Sequence, residues 1–300
     1  MKVEFLKREK FRKAVMGYLF ASPWIASLCI FTIFAIIKVV QYSFSDFQVF
    51  KPPEWNGTDN YVTLFTKDPL FAKSLWNTFY YTIFAVPVGI VVALALAMLL
   101  NQKVIFRPTF RAIFYVPSVV PAVASSVLWI WILNPNYGLI NTFLSFLSIK
   151  GPSWLNNPTW SKPSLILMST WGVGGSMIIF LAGLQDVPRE LYEASEIDGA
   201  NVWHKFWYVT IPMITPTIFF SLIMGIIGSF QVFTQAFIMT QGGPSDSTLF
   251  YVLYLYNNAF RYFKMGYASA MALILFFIIL FFTLIVVSTS GRWVYYAGKR

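Results

Sequence analysis

The 300 residues are 57% hydrophobic and 19% aromatic but only 11% charged, a balance far outside that of an ordinary water-soluble domain. The net charge of +10 does not indicate nucleic acid, because the basic residues stand in short clusters beside apolar stretches, where they anchor helix ends against anionic lipid. Cys29 is the single cysteine, which excludes an internal disulfide and leaves it as a small packing residue within an apolar stretch.

Six uncharged apolar stretches run from Ala14 to Ile37, Leu75 to Leu100, Ala112 to Leu133, Pro163 to Leu184, Ile211 to Met239 and Met265 to Ser290. A helix rising about 1.5 Å per residue crosses a hydrocarbon core about 30 Å thick in roughly 20 residues, so each stretch is long enough to span a bilayer. The fold class expected is therefore all-α, a polytopic membrane protein with six transmembrane helices. Pro23, Pro87, Pro117, Pro121 and Pro216 lie inside these stretches and do not argue against helix, since neighbouring helices and polar side chains can satisfy the carbonyls that proline frees.

With both termini inside, segments 1–13, 101–111, 185–210 and 291–300 hold 14 of the 22 Lys and Arg residues, although the outer segments 38–74, 134–162 and 240–264 are longer in total. This asymmetry predicts cytoplasmic termini, and the basic cluster Lys7, Arg8, Lys10, Arg12 and Lys13 weighs most. A cleaved signal peptide is the weaker reading of this end, because the apolar stretch is too long for a signal h-region. The organisation expected is a basic cytoplasmic N-terminus at 1–13, a first membrane helix at 14–40, an outer loop at 41–74 and a five-helix core at 75–290. That core carries a cytoplasmic loop at 185–210 and precedes a cytoplasmic C-terminus at 291–300. Tyr137 to Ile149 and Leu249 to Phe260 are aromatic, half-polar and too short to cross, and are expected as interfacial or re-entrant helices on the outer face. No internal repeat is evident.

The loop Asp186 to Pro212 carries five of the twelve acidic residues against only Arg189 and Lys205, the reverse of what an inner loop should show. Asp186 can cap and Pro188 suits a first helical turn, with Gly199 as the stop. Leu191, Ala194, Ser195 and Asp198 fall on one face and Glu190, Glu193 and Glu196 on a carboxylate ridge. A second short helix from about Val202 to Tyr208 leads to Pro212, which makes the loop a helix-turn-helix finger. A solvated surface face would explain the charges alone, whereas the small Ala194, Ser195, Gly199 and Ala200 also suit close approach by another backbone.

This finger resembles that of the permeases of type I ATP-binding-cassette importers, in the carbohydrate branch related to the maltose and glycerol-phosphate systems. The family pattern of E-A-A, three residues, G, nine residues and I-x-L-P is matched in spacing by Glu193-Ala194-Ser195, Gly199 and Val209-Thr210-Ile211-Pro212. Ser195, Val209 and Ile211 depart from it by small or isosteric changes. Asn77-Thr78, Tyr115-Val116-Pro117 and Leu133-Asn134-Pro135 also look like this branch, while the large outer insertion of the maltose F subunit has no counterpart. The resemblance implies the type I importer permease fold in a bacterial or archaeal cell (inner) membrane. It also implies a second homologous permease, a cytoplasmic ATPase dimer holding ATP and Mg, and an extracytoplasmic solute-binding protein as partners. Glu190, Glu193, Ala194, Ser195, Asp198, Gly199 and Ala200 would then couple the chain to the ATPase. The chain has no G-x-x-x-x-G-K-[ST] loop of its own, and no cofactor is expected on it.

Solute contacts are expected near the bilayer midplane from Trp171, which could stack on a sugar ring beside Gly172, and from Ser229 and Gln231, which could bond hydroxyls. Helix packing is the alternative for each, with Ser229 bonding its own helix. An intramembrane enzyme or metal site is disfavoured because the six stretches hold no Asp, Glu, Lys, Arg or His, and His204 is the only histidine. An ATP-independent secondary transporter or channel is the rival reading, and it would ordinarily carry an intramembrane acid. Uncharged spans favour a neutral or weakly charged ligand as a tendency, and a small neutral solute, a carbohydrate, is the one expected, with membrane lipid and no nucleic acid as the other contacts.

Overall fold

The computed structural model describes residues 2–102 and 105–295, with side chains from Phe11 onward apart from the two intervening residues. Lys103, 296–300 and the side chains of Lys2, Lys7, Arg8 and Lys10, all within the inner segments counted above, lie outside the described residues. Two compact units result, one of Met1–Lys67 with Asn258–Ile274 and one of Asp68–Asn257 with Leu275–Arg300.

In the first unit, α1 (Lys2–Ser27) continues through a π-helical turn, Leu28–Ile33, into α2 (Phe34–Ser43). Its apolar side chains point outward, Phe20 and Trp24 among them, as suits a helix whose solvent is lipid. Cys29 is exposed on this helix, contrary to the expectation of a packing residue. A small hairpin of β1 (Ser45–Asp46) and β2 (Glu54–Trp55) follows, and then α3 (Asp59–Thr66). Asn60 ties these pieces by donating to the Ser43 and Ser45 carbonyls at 2.9 and 3.0 Å.

The second unit is built on α4 (Pro69–Asn101), which Asp68 caps by accepting from the Leu70 and Phe71 amides. The third apolar stretch divides into α5 (Arg107–Val119) and α6 (Ala122–Ile132), which meet at 101°. A short α7 (Leu139–Phe146) leads to α8 (Pro158–Trp171), which meets α9 (Gly174–Gln185) at 51°. The finger consists of α10 (Arg189–Ile197) and α11 (Val202–Lys205), followed by a π-helical turn at Phe206–Thr210 and α12 (Ile211–Phe230). Then come α13 (Thr234–Met239), α14 (Tyr251–Tyr256) and α15 (Met265–Trp293), whose first turns belong to the other unit. By length and composition, four helical segments among the described residues can each cross a membrane, or up to six if each bent pair is one span. The protein is thus all-α, with the third and fourth spans broken rather than continuous as the apolar stretches alone suggest.

The break between α5 and α6 has a local cause. Val120, held extended at φ −68° and ψ 130°, precedes Pro121, and a residue before proline is pushed out of the helical region. Pro87 and Pro216 stay inside α4 and α12. Helices α4, α9 and α12 share the buried cluster of Ala93, Leu94, Ala97, Met177, Phe180 and Ile214, in which the two alanines let α4 approach its neighbours closely.

The segments 137–149 and 249–260 differ. On α7, Leu139, Phe143 and Phe146 are exposed, as an interfacial helix requires. In the second segment Leu249, Phe250, Tyr251 and Leu253 are buried, so of the two expected forms the exposed interfacial helix is the one it does not take. Asn77 and Thr78 of α4 explain this. Asn77 donates to the Asp246 and Leu249 carbonyls at 2.8 and 3.1 Å, and Thr78 accepts from the Tyr251 amide at 2.8 Å, so the segment is pinned onto α4.

Gly174, at the start of α9, lies against α5, where an added Cβ would overlap the Phe114 carbonyl oxygen and come within 2.8 Å of Tyr115 Cα. The adjacent Gly175 faces open space. Gly174→Ala is expected to cost about 1–3 kcal/mol through overpacking and to lower the melting temperature of the detergent-purified protein, whereas Gly175→Ala leaves it unchanged or slightly raised. Equal melting temperatures for the two variants would contradict this packing.

Candidate functional site: a membrane cavity and a helical finger

Two adjoining cavities open within the second unit. The larger, about 570 Å³, lies among α4, α8, α9 and α12 and takes in Gly172, Ser229 and Gln231. The smaller, about 270 Å³, lies beside the α5–α6 break and takes in Trp171. Tyr81, Ser169, Gly172 and Gln235 line both, so the four residues expected from the sequence surround one composite space.

Their settings differ. Trp171 packs edge-on against Trp129 with ring centroids 6.2 Å apart, which fixes its orientation. Gly172 sits at the bend between α8 and α9, with φ −89° and ψ 10°. Ser229 is buried and donates to the Ile226 carbonyl at 3.1 Å, which leaves its lone pairs to accept a further bond. Gln231 terminates α12 and is exposed, with its side-chain amide unengaged by the described residues.

The sequence reading missed Tyr81, Ser169, Ser221 and Gln235. Ser221 is 8% exposed, and its hydroxyl, one of the buried polar groups without a partner, lies on the larger cavity. A buried hydroxyl without a partner is costly, and a bound solute could satisfy it. A signal was present: Ser221, Gly225, Gly228 and Ser229 recur at helical spacing and form one small-residue stripe on α12. Tyr81 likewise lies on a polar stripe of α4, with Ser74, Asn77, Thr78, Thr82 and Ala85 at helical spacing. No Asp, Glu, Lys, Arg or His lines either cavity. Hydroxyls, side-chain amides and aromatic rings suit an uncharged, hydrogen-bonding molecule and supply nothing to neutralise an ion.

The finger is a separate feature. Helix α10 begins at Arg189 after Pro188, while Asp186 ends α9, so Asp186 does not cap the finger as expected. Gly199 has φ +79°, and the bonds from Ala200 N to Ser195 O at 2.9 Å and from Gly199 N to Glu196 O at 3.0 Å form a Schellman stop. An added Cβ at Gly199 would meet nothing within 4 Å, so glycine is required there for its backbone conformation and not for space.

Glu190, Glu193, Ala194, Asp198 and Gly199 are exposed, Ala200 is half-buried, and Ser195 turns inward to donate to the Tyr192 carbonyl at 2.7 Å. Tyr192 and Ser195, and not Leu191, Ala194 and Asp198, therefore make the inner face of α10. Glu190 and Glu193 have no side-chain partner among the described residues. Ile197, 88% exposed, and Val202, Trp203 and Tyr208 give the finger an uncovered apolar surface beside its carboxylates. No group of three His, Cys, Asp or Glu that could hold a metal is present among the described residues.

A multi-pass α-helical chain with a neutral cavity at its broken spans and a capped finger outside them is a membrane transport subunit. Residues 85–294 match the family of binding-protein-dependent transport system inner membrane components, and the chain belongs to that family. It is 42% identical over 287 residues to the probable ABC transporter permease protein YesP of Bacillus subtilis (strain 168), a match covering 94% of this chain and 93% of that protein. The arabinooligosaccharides transport system permease protein AraP of the same organism is 34% identical over 287 residues, covering 94% and 90%. Among solved structures, a bacterial alginate ABC transporter in complex with a periplasmic protein carrying an alginate pentasaccharide superposes with a TM-score of 0.83. That match covers 95% of this chain and 96% of the other at 24% sequence identity, and it shows the shared fold.

Proposed function

We propose that this permease passes a neutral saccharide, delivered by an extracytoplasmic binding protein, through the composite cavity by alternating access. The cavity lining carries the proposal, because hydroxyls, amides and an oriented indole converge there without an ionised group. The named substrate of AraP supports the same class. A cytoplasmic ATPase dimer holding ATP and Mg drives the cycle, and a second, homologous permease completes the pathway. Glu190, Glu193, Ala194, Ser195, Asp198, Gly199 and Ala200 form the docking end of the finger, whose exposed carboxylates and apolar side chains suit a protein partner. A secondary transporter has less support, since neither cavity is lined by a residue that could carry a proton or cation.

Both termini and the finger face the cytoplasm in this reading. Single cysteines at Asn157 and Gln241 in a Cys29→Ser background are expected to react with an impermeant thiol reagent in intact cells, and one at Asn201 only after lysis. Reaction at Asn201 alone in intact cells reverses the orientation.

Gly199→Val forces a β-branched residue to a positive φ at a cost of about 1–3 kcal/mol, and Glu193→Lys reverses the charge presented to the ATPase. In the reconstituted transporter both are expected to cut solute-stimulated ATP hydrolysis roughly 5- to 150-fold, the span of a 1–3 kcal/mol coupling energy, while the binding protein keeps its affinity for solute. Assembled complexes with normal stimulated hydrolysis would remove the finger from the coupling path.

A further inference from the structure

One π-helical turn, Phe206–Thr210, separates the finger from α12, and such turns inside a helix often mark functional positions. Within it the Ile211 amide bonds the Phe206 carbonyl, and the Thr210 hydroxyl lies 3.3 Å from the Lys205 carbonyl. A hydroxyl has one hydrogen to give, and a carbonyl can only accept it. Thr210 Oγ1 stands between the Lys205 carbonyl and the Tyr192 hydroxyl, the latter at 2.9 Å, where either hydroxyl can be the donor. These contacts link Tyr192 of α10 through Thr210 to the backbone at the end of α11.

Tyr192 also packs its ring against the buried cluster shared by α4, α9 and α12, and Thr210 is only 6% exposed. The other side-chain bond from α10 to the segment after it, among the described residues, is the 2.6 Å ion pair of Lys205 with Glu196. The Glu196 side chain is 63% exposed, so solvent screens that pair and the long side chains lose entropy in forming it. The hydroxyl pair, half-buried at Tyr192 and buried at Thr210, is the stiffer and more directional link.

We propose that Tyr192 and Thr210 form a positioning latch that carries displacement of the finger through the π-helical turn into α12, which walls the larger cavity. The proposal rests on the finger being the coupling element. Its loss leaves the docking surface intact and separates nucleotide turnover from movement of the cavity.

The test uses the transporter as it purifies with its second permease and ATPase, in lipid nanodiscs, with a Ser176→Cys reporter on the cavity wall and Cys29→Ser. The readout is the difference in maleimide labelling rate at 176 between the nucleotide-free complex and the complex trapped with MgATP and vanadate. Tyr192→Phe and Thr210→Val are expected to shrink that difference at least about fivefold while ATP hydrolysis persists, and Thr210→Ser, which keeps the hydroxyl, restores it. Should Thr210→Val not assemble, Tyr192→Phe decides, since it keeps the ring in place and removes only the hydroxyl. A Tyr192→Phe complex with the full nucleotide response overturns the latch, as does one that falls apart. Gly199→Val in the same assay separates the two ideas: a diminished response there leaves the finger as the coupling element without the latch, and a full response removes both.

Discussion

A chain in hydrocarbon cannot leave backbone amides and carbonyls unpaired, so a membrane helix can be interrupted only where protein or a polar cavity covers the break. The second unit has three such interruptions: Val120 and Pro121 between α5 and α6, Gly172 and Val173 between α8 and α9, and Gln231 to Phe233 between α12 and α13. Val120 and Gly172 line the smaller cavity, and Gly172, Val173 and Gln231 to Phe233 line the larger. The cavity and the breaks thus require each other. The same positions bring Ser169, Ser229 and Gln235 to the space a solute would fill.

A frame that tolerates three interruptions must be firm elsewhere. Ala93 and Ala97 bring α4 close to its neighbours, and Gly174 lets α9 lie against the backbone of α5. Tyr192 joins that frame from the finger, so the Schellman-capped helix is held by one ring, one hydroxyl pair and the Lys205–Glu196 ion pair, while Glu190 and Glu193 have no side-chain partner among the described residues. Opposite demands are met in one short loop: a fixed base next to the membrane and an uncommitted tip.

The spans were legible because length and absence of charge identify a membrane helix almost independently of its neighbours. Their breaks were not. Pro23, Pro87 and Pro216 remain within helices, and only Pro121 ends one, because the outcome depends on whether a cavity or a packed neighbour receives the freed groups. The bend at Gly172 contains no proline. Segments 137–149 and 249–260 look alike in composition, yet only the second has Asn77 and Thr78 waiting on α4, a contact across more than 170 residues that no local pattern reveals. In the finger, the fixed spacing from Glu193 to Pro212 exposed the motif and its glycine stop. The Tyr192 to Thr210 bond stayed hidden because it depends on the wider helical turn between them.

The central claim is that the broken spans enclose the saccharide path, and solute protection of cysteines at the junction of the two cavities tests it most directly. With the transporter reconstituted in a Cys29→Ser background, Ser169→Cys and Gln235→Cys should each be alkylated about tenfold more slowly when the transported saccharide is present at about ten times its Kd. A cysteine in place of Ser288, exposed on α15, should react at an unchanged rate. Equal alkylation rates with and without saccharide at both junction positions, in a transporter that still moves it, would contradict the account.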